Sequence, residues 1–399
     1  RTTAIGLWGT SFAVGGAIGP LVGGLALEWF WWGSVFLINV PVMALLLVLG
    51  PRLLPEFRDP NARGLDVTSA ALSLAAALAV IYGLKQIAQD GLSWGGGLPA
   101  VAGLAIGAAF VRRQTRLVDP LLDLKLFRVP EFRVSVATNA LGGFIAFGTF
   151  LYFAQYLQLV LGLSPLTAGL WSLPSSVAVI IGSNLAPVIL RRVRPAFAAA
   201  ASLALSGVGL GILAQLDAGS GLSFAVIGSV VFALGLGPVF ILTTDLIVGS
   251  APPERAGAAS AISETGAEFG GALGIAVLGS IGAAVYRSGV LDAVPDGVPP
   301  AAAAAARDTL GGALAAAEQL RGRLGTGLAD AAHSAFAQGF QVATGIAALV
   351  AVAVALLVLR KLRHVQPQDA PDGRSNLEGD AGPTTGTPGQ ISEPAPAEC

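Results

Sequence analysis

The sequence is short of cysteine, methionine and charge. Its 399 residues contain one cysteine, Cys399 at the last position, and one methionine, Met43. A single cysteine excludes an intramolecular disulfide bond and a cysteine-rich metal site. Only 12% of the residues are charged, against about a quarter in soluble domains. With a net charge of -1, this composition excludes a soluble globular domain, a disordered chain and a nucleic-acid-binding protein.

Signatures of ATP-driven machines and of enzymes are also missing from the sequence. No G-x-x-x-x-G-K-[ST] loop occurs, so the sequence has no site for nucleotide hydrolysis of this type. If the protein moves a solute across a membrane, we expect an ion gradient to drive that movement. No Ser/His/Asp constellation and no metal-ligand spacing is present. We therefore expect no enzymatic activity, no cofactor and no metal, and neither His333 nor His364 receives a role.

Apolar residues are abundant, at 54% of the sequence. A helix needs about 20 of them to cross a hydrocarbon core of about 30 Å, and about ten stretches meet that length. The alternation that a membrane β-barrel shows is absent, so the sequence predicts an all-α polytopic membrane protein. The predicted spans are residues 4–27, 33–50, 67–87, 95–111, 134–161, 166–190, 196–216, 222–248, 256–285 and 335–359.

Lysine and arginine gather in alternate loops, which predicts sidedness. They occupy the loop after residue 50, residues 112–133, the loop after residue 190 and the end of the last span. We expect these regions and the C-terminus to be cytoplasmic in a bacterial inner membrane. Trp29, Trp31, Trp32 and Trp94 gather on the opposite side, as an aromatic belt does.

Three segments lie outside the predicted spans. Residues 114–133 mix apolar and charged residues at helical spacing, and we expect an amphipathic helix on the inner surface there. The alanine-rich outer loop 287–330 is predicted to form a short helical hairpin. The tail 365–399 is rich in proline, glycine and acidic residues, and we expect it to be disordered.

A glycine pattern in the first span is the most specific motif of the sequence. Its members fit G-x8-G-x3-G-P-x2-G-G and are Gly6, Gly15, Gly19, Pro20, Gly23 and Gly24. Glycines let helices approach closely, and a proline removes a backbone hydrogen bond. A shift of 251 residues carries the pattern onto Gly257, Gly266, Gly270 and Gly274. This register indicates two duplicated halves, as transporters with parallel repeats have.

The pattern resembles the antiporter signature of drug exporters of the major facilitator superfamily. The stretches FLINVP, DPLLDLKLF, SPLTAGL and EFGGALGIAVLGS are similar to the fourteen-helix drug:proton antiporter branch, most of all to quaternary-ammonium and methyl-viologen resistance exporters. The resemblance implies that residues 1–50 end an N-terminal six-helix bundle, 51–113 hold a cytoplasmic loop and an inserted helix pair, and 134–364 form the C-terminal bundle. Because the chain starts at Arg1, we expect an N-terminally truncated fragment that lacks four helices.

Two carboxylates within one apolar span are the main candidates for the chemistry. Glu264 and Glu268 lie one helical turn apart and on one face. A charged carboxylate at the bilayer centre costs at least about 2.5 kcal/mol, so the pair must face a cavity, be ion-paired or carry a proton. Asp245 lies within about one turn of the inner interface and is a further candidate for proton coupling or cation binding.

Aromatic and amide side chains in residues 134–161 are candidates for substrate binding. Tyr152 and Tyr156 are one turn apart with Gln155 between them. Their ring faces would attract an organic cation, although aromatic residues of membrane helices also face lipid.

Together these observations predict a proton-coupled exporter of lipophilic organic cations that works by alternating access. Its expected partners are cationic small molecules, protons and the lipid bilayer, with no nucleic acid, and the protein is expected to be monomeric. A metabolite or siderophore exporter on the same scaffold stays open, as does a membrane sensor or assembly subunit that does not transport.

Overall fold

The computed structural model describes residues 2–53, 66–91, 93–117, 120–190, 192–252, 255–320 and 322–363. Helices joined by turns make up these ranges, which confirms the all-α class. The α-helices are α1 (Thr2–Trp29), α2 (Ser34–Leu37), α3 (Asn39–Leu53), α4 (Val67–Asp90), α5 (Trp94–Gln114), α6 (Pro130–Gln155), α7 (Pro165–Leu190), α8 (Pro195–Leu213), α9 (Leu222–Gly249), α10 (Ala256–Ala293), α11 (Pro300–Asp308), α12 (Leu310–Gln319) and α13 (Arg323–Leu362).

Nine helical segments among the described residues are long and apolar enough to cross a membrane. They comprise the α2–α3 segment, α4, α5, α6 with its π-helical end, α7 to α10, and α13. In α1, residues Val14–Trp29 form a shorter apolar helix. These segments and α1 correspond to the ten predicted spans.

Proline and capping residues set several helix ends. Proline occupies the first turn of α6, α8 and α11, where its missing N–H costs no hydrogen bond. Asp66 caps α4 by accepting a hydrogen bond from the Ser69 backbone N–H at 3.1 Å. The predicted span 33–50 is interrupted at Ile38. The reason is Pro41, which has no N–H to donate to the Leu37 carbonyl four residues earlier.

Six helices, α6 to α10 and α13, pack together and are called the C-terminal bundle below. Its core contains the buried residues Ile145, Leu210, Leu236, Leu278 and Phe340. The α4–α5 hairpin contacts α10, and α1 contacts α7. Backbones in the bundle approach closely at glycines, since a Cβ at Gly235 of α9 would lie 2.5 Å from the Ser202 carbonyl oxygen of α8.

The loop between α10 and α13, expected on the outer side, contains the predicted helical hairpin, formed by α11 and α12. Here Thr309 caps α12 by accepting from the Gly312 N–H at 3.0 Å, and the Tyr286 hydroxyl donates to the Ala306 carbonyl at 2.7 Å. The flanking spans are longer than predicted, because α10 continues to Ala293 and α13 already begins at Arg323. At about 1.5 Å per residue, the 40 residues of α13 exceed a hydrocarbon core of about 30 Å.

The predicted amphipathic helix over residues 114–133 is wrong. In its described part the segment has one 3₁₀ turn, Leu126–Arg128, before α6 starts at Pro130. Side chains satisfy the local backbone instead: Gln114 accepts from the Leu122 N–H at 3.2 Å, and Asp123 accepts from the Lys125 N–H at 3.0 Å. Such local bonds compete with helix formation.

The predicted disordered tail, residues 365–399, lies outside the described residues, as do residues 54–65 of the loop that was expected to be cytoplasmic.

Candidate functional site

The two glutamates of α10 lie on the exposed side of that helix. Helix α10 begins at Ala256, as predicted. With a rise of about 1.5 Å per residue, Glu264 lies about 12 Å and Glu268 about 18 Å along its axis. Within the described part of the chain neither glutamate forms an ion pair. The arrangement therefore offers two neighbouring carboxylates, one turn apart, to a proton or a cation.

Helix α6 fixes the backbone of α10 beside these carboxylates. A Cβ placed at Gly143 of α6 would overlap the carbonyl oxygen of Ala267, the residue before Glu268. Likewise a Cβ at Gly270 would overlap the carbonyl oxygen of Ala140, and one at Gly274 that of Phe144. Only glycine permits this backbone contact, so the glycines on both sides of the interface hold Glu268 at a defined height against α6.

Asp245 belongs to the same region of the bundle. It follows Thr244 in α9, and Glu264 follows Ser263 in α10, while the Thr244 and Ser263 hydroxyl oxygens lie 3.2 Å apart. This hydrogen bond places Asp245 and Glu264 at a similar level of adjacent helices. Asp245 is exposed and takes part in further interactions.

A buried amide, Asn139 of α6, joins the three helices at this level. Its side chain is 2% exposed, donates to the Ser263 carbonyl at 2.8 Å and to the Ser263 hydroxyl at 3.1 Å, and accepts from the Thr243 hydroxyl at 3.0 Å. Every polar atom of the amide is thus used, as burial in an apolar medium requires. The sequence predicted no such role for Asn139, because its partners are 104 and 124 residues away.

The glycine pattern of α1 makes two close contacts, both with α7. A Cβ at Gly24 would lie 2.7 Å from the Pro165 carbonyl oxygen of α7, and one at Gly169 of α7 would lie 2.6 Å from the Pro20 carbonyl oxygen. Among the described residues nothing lies within 4 Å of a Cβ at Gly15, Gly19 or Gly23. In the second copy, Gly257 is equally open, and Gly266 has only ordinary contact with Val136 at 3.8 Å. Gly6 lies in the part of α1 whose side-chain surroundings are not described.

The two tyrosines predicted to bind cations are buried in the bundle. Tyr152 donates to the Gly279 carbonyl and Tyr156 to the Asp217 carbonyl, each at 2.8 Å. Tyr156 stacks on Phe340 with ring centroids 5.6 Å apart. Gln155 is half-buried. Cation binding by these residues stays a prediction, and in this conformation it would require the rings to leave their packing.

Two surface grooves occur in the described structure, and the second is lined in part by Gly279, whose carbonyl accepts from Tyr152. One is apolar and is lined by α7 and α9, with Trp171 and Pro174 among its residues. The other, of about 270 Å³, lies between α4 and α10 and has Lys85 and Arg287 in its lining. Because Glu268 precedes the lining residue Ala272 by one turn, this second groove lies next to the carboxylate side of α10.

A polar turn outside the spans anchors the end of α6. The Ser220 hydroxyl donates to the Asp217 carboxylate at 2.8 Å and the Gly219 N–H donates to it at 2.9 Å. These hydrogen bonds, led by that from Ser220, lower the pKa of Asp217. The turn therefore keeps the Asp217 carboxylate charged just beyond the end of α8. The backbone carbonyl of the same residue accepts the hydrogen bond from Tyr156.

Comparisons with known proteins agree with this architecture. The sequence profile of the Major Facilitator Superfamily matches residues 1–275. The multidrug efflux pump LfrA of Mycolicibacterium smegmatis is 41% identical over 358 residues, which cover 90% of this chain and 71% of LfrA. The tetracenomycin C resistance and export protein of Streptomyces glaucescens is 34% identical, covering 92% and 69%. The methyl viologen resistance protein SmvA of Salmonella typhimurium is 32% identical, covering 86% and 69%.

Proposed function

This chain belongs to the major facilitator superfamily and is a membrane transporter rather than an enzyme, and from that premise we propose that it exports lipophilic organic cations in exchange for protons. Its relatives are named for multidrug efflux, for tetracenomycin C export and for resistance to methyl viologen, which is an organic dication. These names support drug export. Coupling to protons and a preference for cations rest on the carboxylates of α10.

The observation that carries the proposal is the exposed pair Glu264 and Glu268 within the otherwise apolar residues 256–285 of α10. An exposed carboxylate pair in a span is costly in lipid, so it belongs in a cavity that water, protons or a cation can reach. If a proton and a cation compete for the same carboxylates, proton entry from one side releases the cation and proton loss on the other side restores cation binding. This competition is the proposed exchange rule, with Asp245 as a further member of the site.

Two bundles that rock about this midplane site would supply alternating access. We propose the N-terminal bundle to include residues 1–50, the C-terminal bundle to include 134–364, and residues 51–113 to carry the inserted pair α4–α5. We further propose that the protein is a monomer in the bacterial inner membrane, with its C-terminus in the cytoplasm. Tyr152, Gln155 and Tyr156 are proposed to contact the cation in another conformation of the cycle.

The test is drug-induced proton movement in proteoliposomes. Glu268→Gln keeps the size and hydrogen-bonding capacity of the side chain but removes its titration, so ethidium efflux driven by an imposed pH difference should fall to the background of empty vesicles. Glu264→Gln should lower export of the dication methyl viologen more than that of monovalent ethidium, because the second negative charge matters most for a divalent ligand.

The matched control is Glu318→Gln, which makes the same chemical change in α12, outside the spans. It should leave both activities at the parent rate. Parent-level proton movement with Glu268→Gln would mean that Glu268 does not carry the exchanged proton. Absence of drug efflux from the parent protein would contradict the proposed function as a whole.

A further inference from the structure

A polar network ties the two helices of the inserted pair together at one end. Ser69 of α4 donates its hydroxyl to the Asp66 carboxylate at 2.6 Å. Arg113 of α5 contacts both Asp66 oxygens at 3.0 and 3.2 Å and the Ser69 hydroxyl at 3.1 Å. An ion pair with two contacts to the carboxylate has a defined geometry. The start of α4 and the end of α5 are therefore held as one unit.

The next side chain, Gln114, connects this unit to the segment that leads into the C-terminal bundle. Its amide nitrogen donates to the Ser69 hydroxyl at 2.7 Å, and its amide oxygen accepts from the Leu122 backbone N–H at 3.2 Å. Gln114 is 2% exposed. A glutamine buried this deeply at the end of a helix serves the contact between the two segments rather than hydration.

Asp123 then connects the same segment to α10. Its side chain is 9% exposed and forms an ion pair with Arg255, the residue that directly precedes α10. Around this pair Leu126 and Phe132 are buried against Ile247 and Ile262 of the C-terminal bundle. The segment after α5 is thus attached to the bundle by an ion pair and by an apolar cluster.

A second attachment lies further along the hairpin. Helix α4 packs on α10, with Ile81 and Ala276 on opposite sides of their shared groove. Helices α4 and α5 are themselves closely packed, since a Cβ at Gly96 of α5 would lie 2.7 Å from the Ile87 nitrogen of α4. The hairpin and the segment that follows it therefore contact α10 at two places along that helix, at its start and near Ala276.

We propose that Gln114, Asp123 and Arg255 are positioning residues that fasten the pair α4–α5 to the C-terminal bundle, so that the pair and the bundle move as one body during transport. The segment between α5 and α6 then does not act as a hinge. Because Arg255 lies at the start of the helix that carries Glu264 and Glu268, the same contacts set the position of that helix. The role in transport rests on the proposed function, whereas the attachment itself does not.

The attachment can be measured without transport, by distances between spin labels in nanodiscs. Cys399, the sole cysteine, is first replaced by serine. One label pair joins Leu104→Cys of α5 with Val208→Cys of α8, both exposed positions. A second pair joins Ile18→Cys of α1 with Val208→Cys. The α5–α8 distance should stay single and narrow with and without ethidium and at high and low pH, while the α1–α8 distance should shift.

Removing these contacts should allow the helices α4 and α5 to move relative to the C-terminal bundle. Gln114→Met keeps the side-chain length but loses both hydrogen bonds, and it should broaden the α5–α8 distance distribution. An α5–α8 distance that changes with ethidium or pH in the parent protein, or one that Gln114→Met leaves narrow, would overturn the proposal. A constant α1–α8 distance would instead contradict alternating access, and the effect of Gln114→Met would still decide the attachment.

The ion pair allows a rescue test in the transport assay. Asp123→Arg and Arg255→Asp should each slow ethidium efflux about 2- to 30-fold, the span of couplings along such networks. The double variant restores opposite charges and should recover most of the parent rate, which a merely structural defect would not do. Arg128→Asp makes the same charge change at an exposed arginine of this segment and should have no effect. Single variants at the parent rate, or a double variant as slow as the slower single one, would overturn the role in transport.

Discussion

A methyl group added at Gly270 tests the contact between α6 and α10. The Cβ of Gly270→Ala would overlap the Ala140 carbonyl oxygen and lie 2.6 Å from the Ala140 carbonyl carbon. These are backbone atoms of a neighbouring helix and cannot rotate away as the end of a flexible side chain can. The two helices must therefore separate, and the well-packed interface around Glu268 must loosen.

The size of this effect follows from comparison with a glycine of the same helix. Nothing lies within 4 Å of a Cβ at Gly279 among the described residues, so Gly279→Ala changes helix propensity without overlap. Subtracting its effect from that of Gly270→Ala leaves the overlap alone. Overpacking of this kind costs about 1–3 kcal/mol, which corresponds to about a 5- to 150-fold change in the folding equilibrium.

The assay is reversible unfolding in mixed micelles of dodecylmaltoside and sodium dodecyl sulfate, followed by the loss of helical circular dichroism. Gly270→Ala should unfold at a lower fraction of dodecyl sulfate than Gly279→Ala, and Gly279→Ala should unfold at the parent midpoint or above it, because alanine favours a helix more than glycine does. Equal midpoints for the two alanine variants would refute the backbone contact between α6 and α10, and with it the argument that glycines set the height of Glu268.

Two further predictions concern the ends of the spans. Hydrogen bonds from Ser69, together with Arg113, lower the pKa of Asp66 from 3.8 to about 2. The stabilisation by its charge is therefore fully present above pH 3.8 and lost as the pH falls through about 2. Between these values, Asp66→Asn should reduce the pH dependence of the melting temperature, and parallel curves for both proteins would contradict the assignment. For topology, a membrane-impermeant thiol reagent should label Ser288→Cys, in the Cys399→Ser background, from outside the cell. Labelling only from the cytoplasmic side would reverse the proposed orientation.

The apolar pattern was sufficient to predict the spans, because each span is determined by local composition. The predicted span 196–216 begins one residue after the first residue of α8, Pro195. The length of α10 and α13 was underestimated for a physical reason. Beyond the predicted spans, Tyr286 of α10 and Leu328 of α13 are buried with Leu310 of α12 in the same apolar cluster as the core of the C-terminal bundle. Periodicity within one segment does not show such burial.

The segment after α5 shows why contacts at a distance escape prediction from sequence. Its alternation of leucines and charges is typical of an amphipathic helix, yet Asp123 pairs with Arg255 and Leu122 bonds to Gln114. These partners come from other helices, and their bonds outweigh a local helical preference. The same holds for Asn139, whose value as a buried connector depends entirely on Ser263 and Thr243 being opposite it.

The two copies of the glycine pattern use different faces of their helices. In α10 the close contacts with α6 fall on Gly270 and Gly274, which correspond to Gly19 and Gly23 of α1. In α1 the close contact with α7 falls on Gly24, and the corresponding residue of α10 is Ile275, which is 41% exposed beside the α4 groove. The close backbone contacts of the two copies therefore fall at different positions of the pattern. By the same correspondence, Gly19 and Gly23 are suited to backbone contact with a helix that stands to α1 as α6 stands to α10.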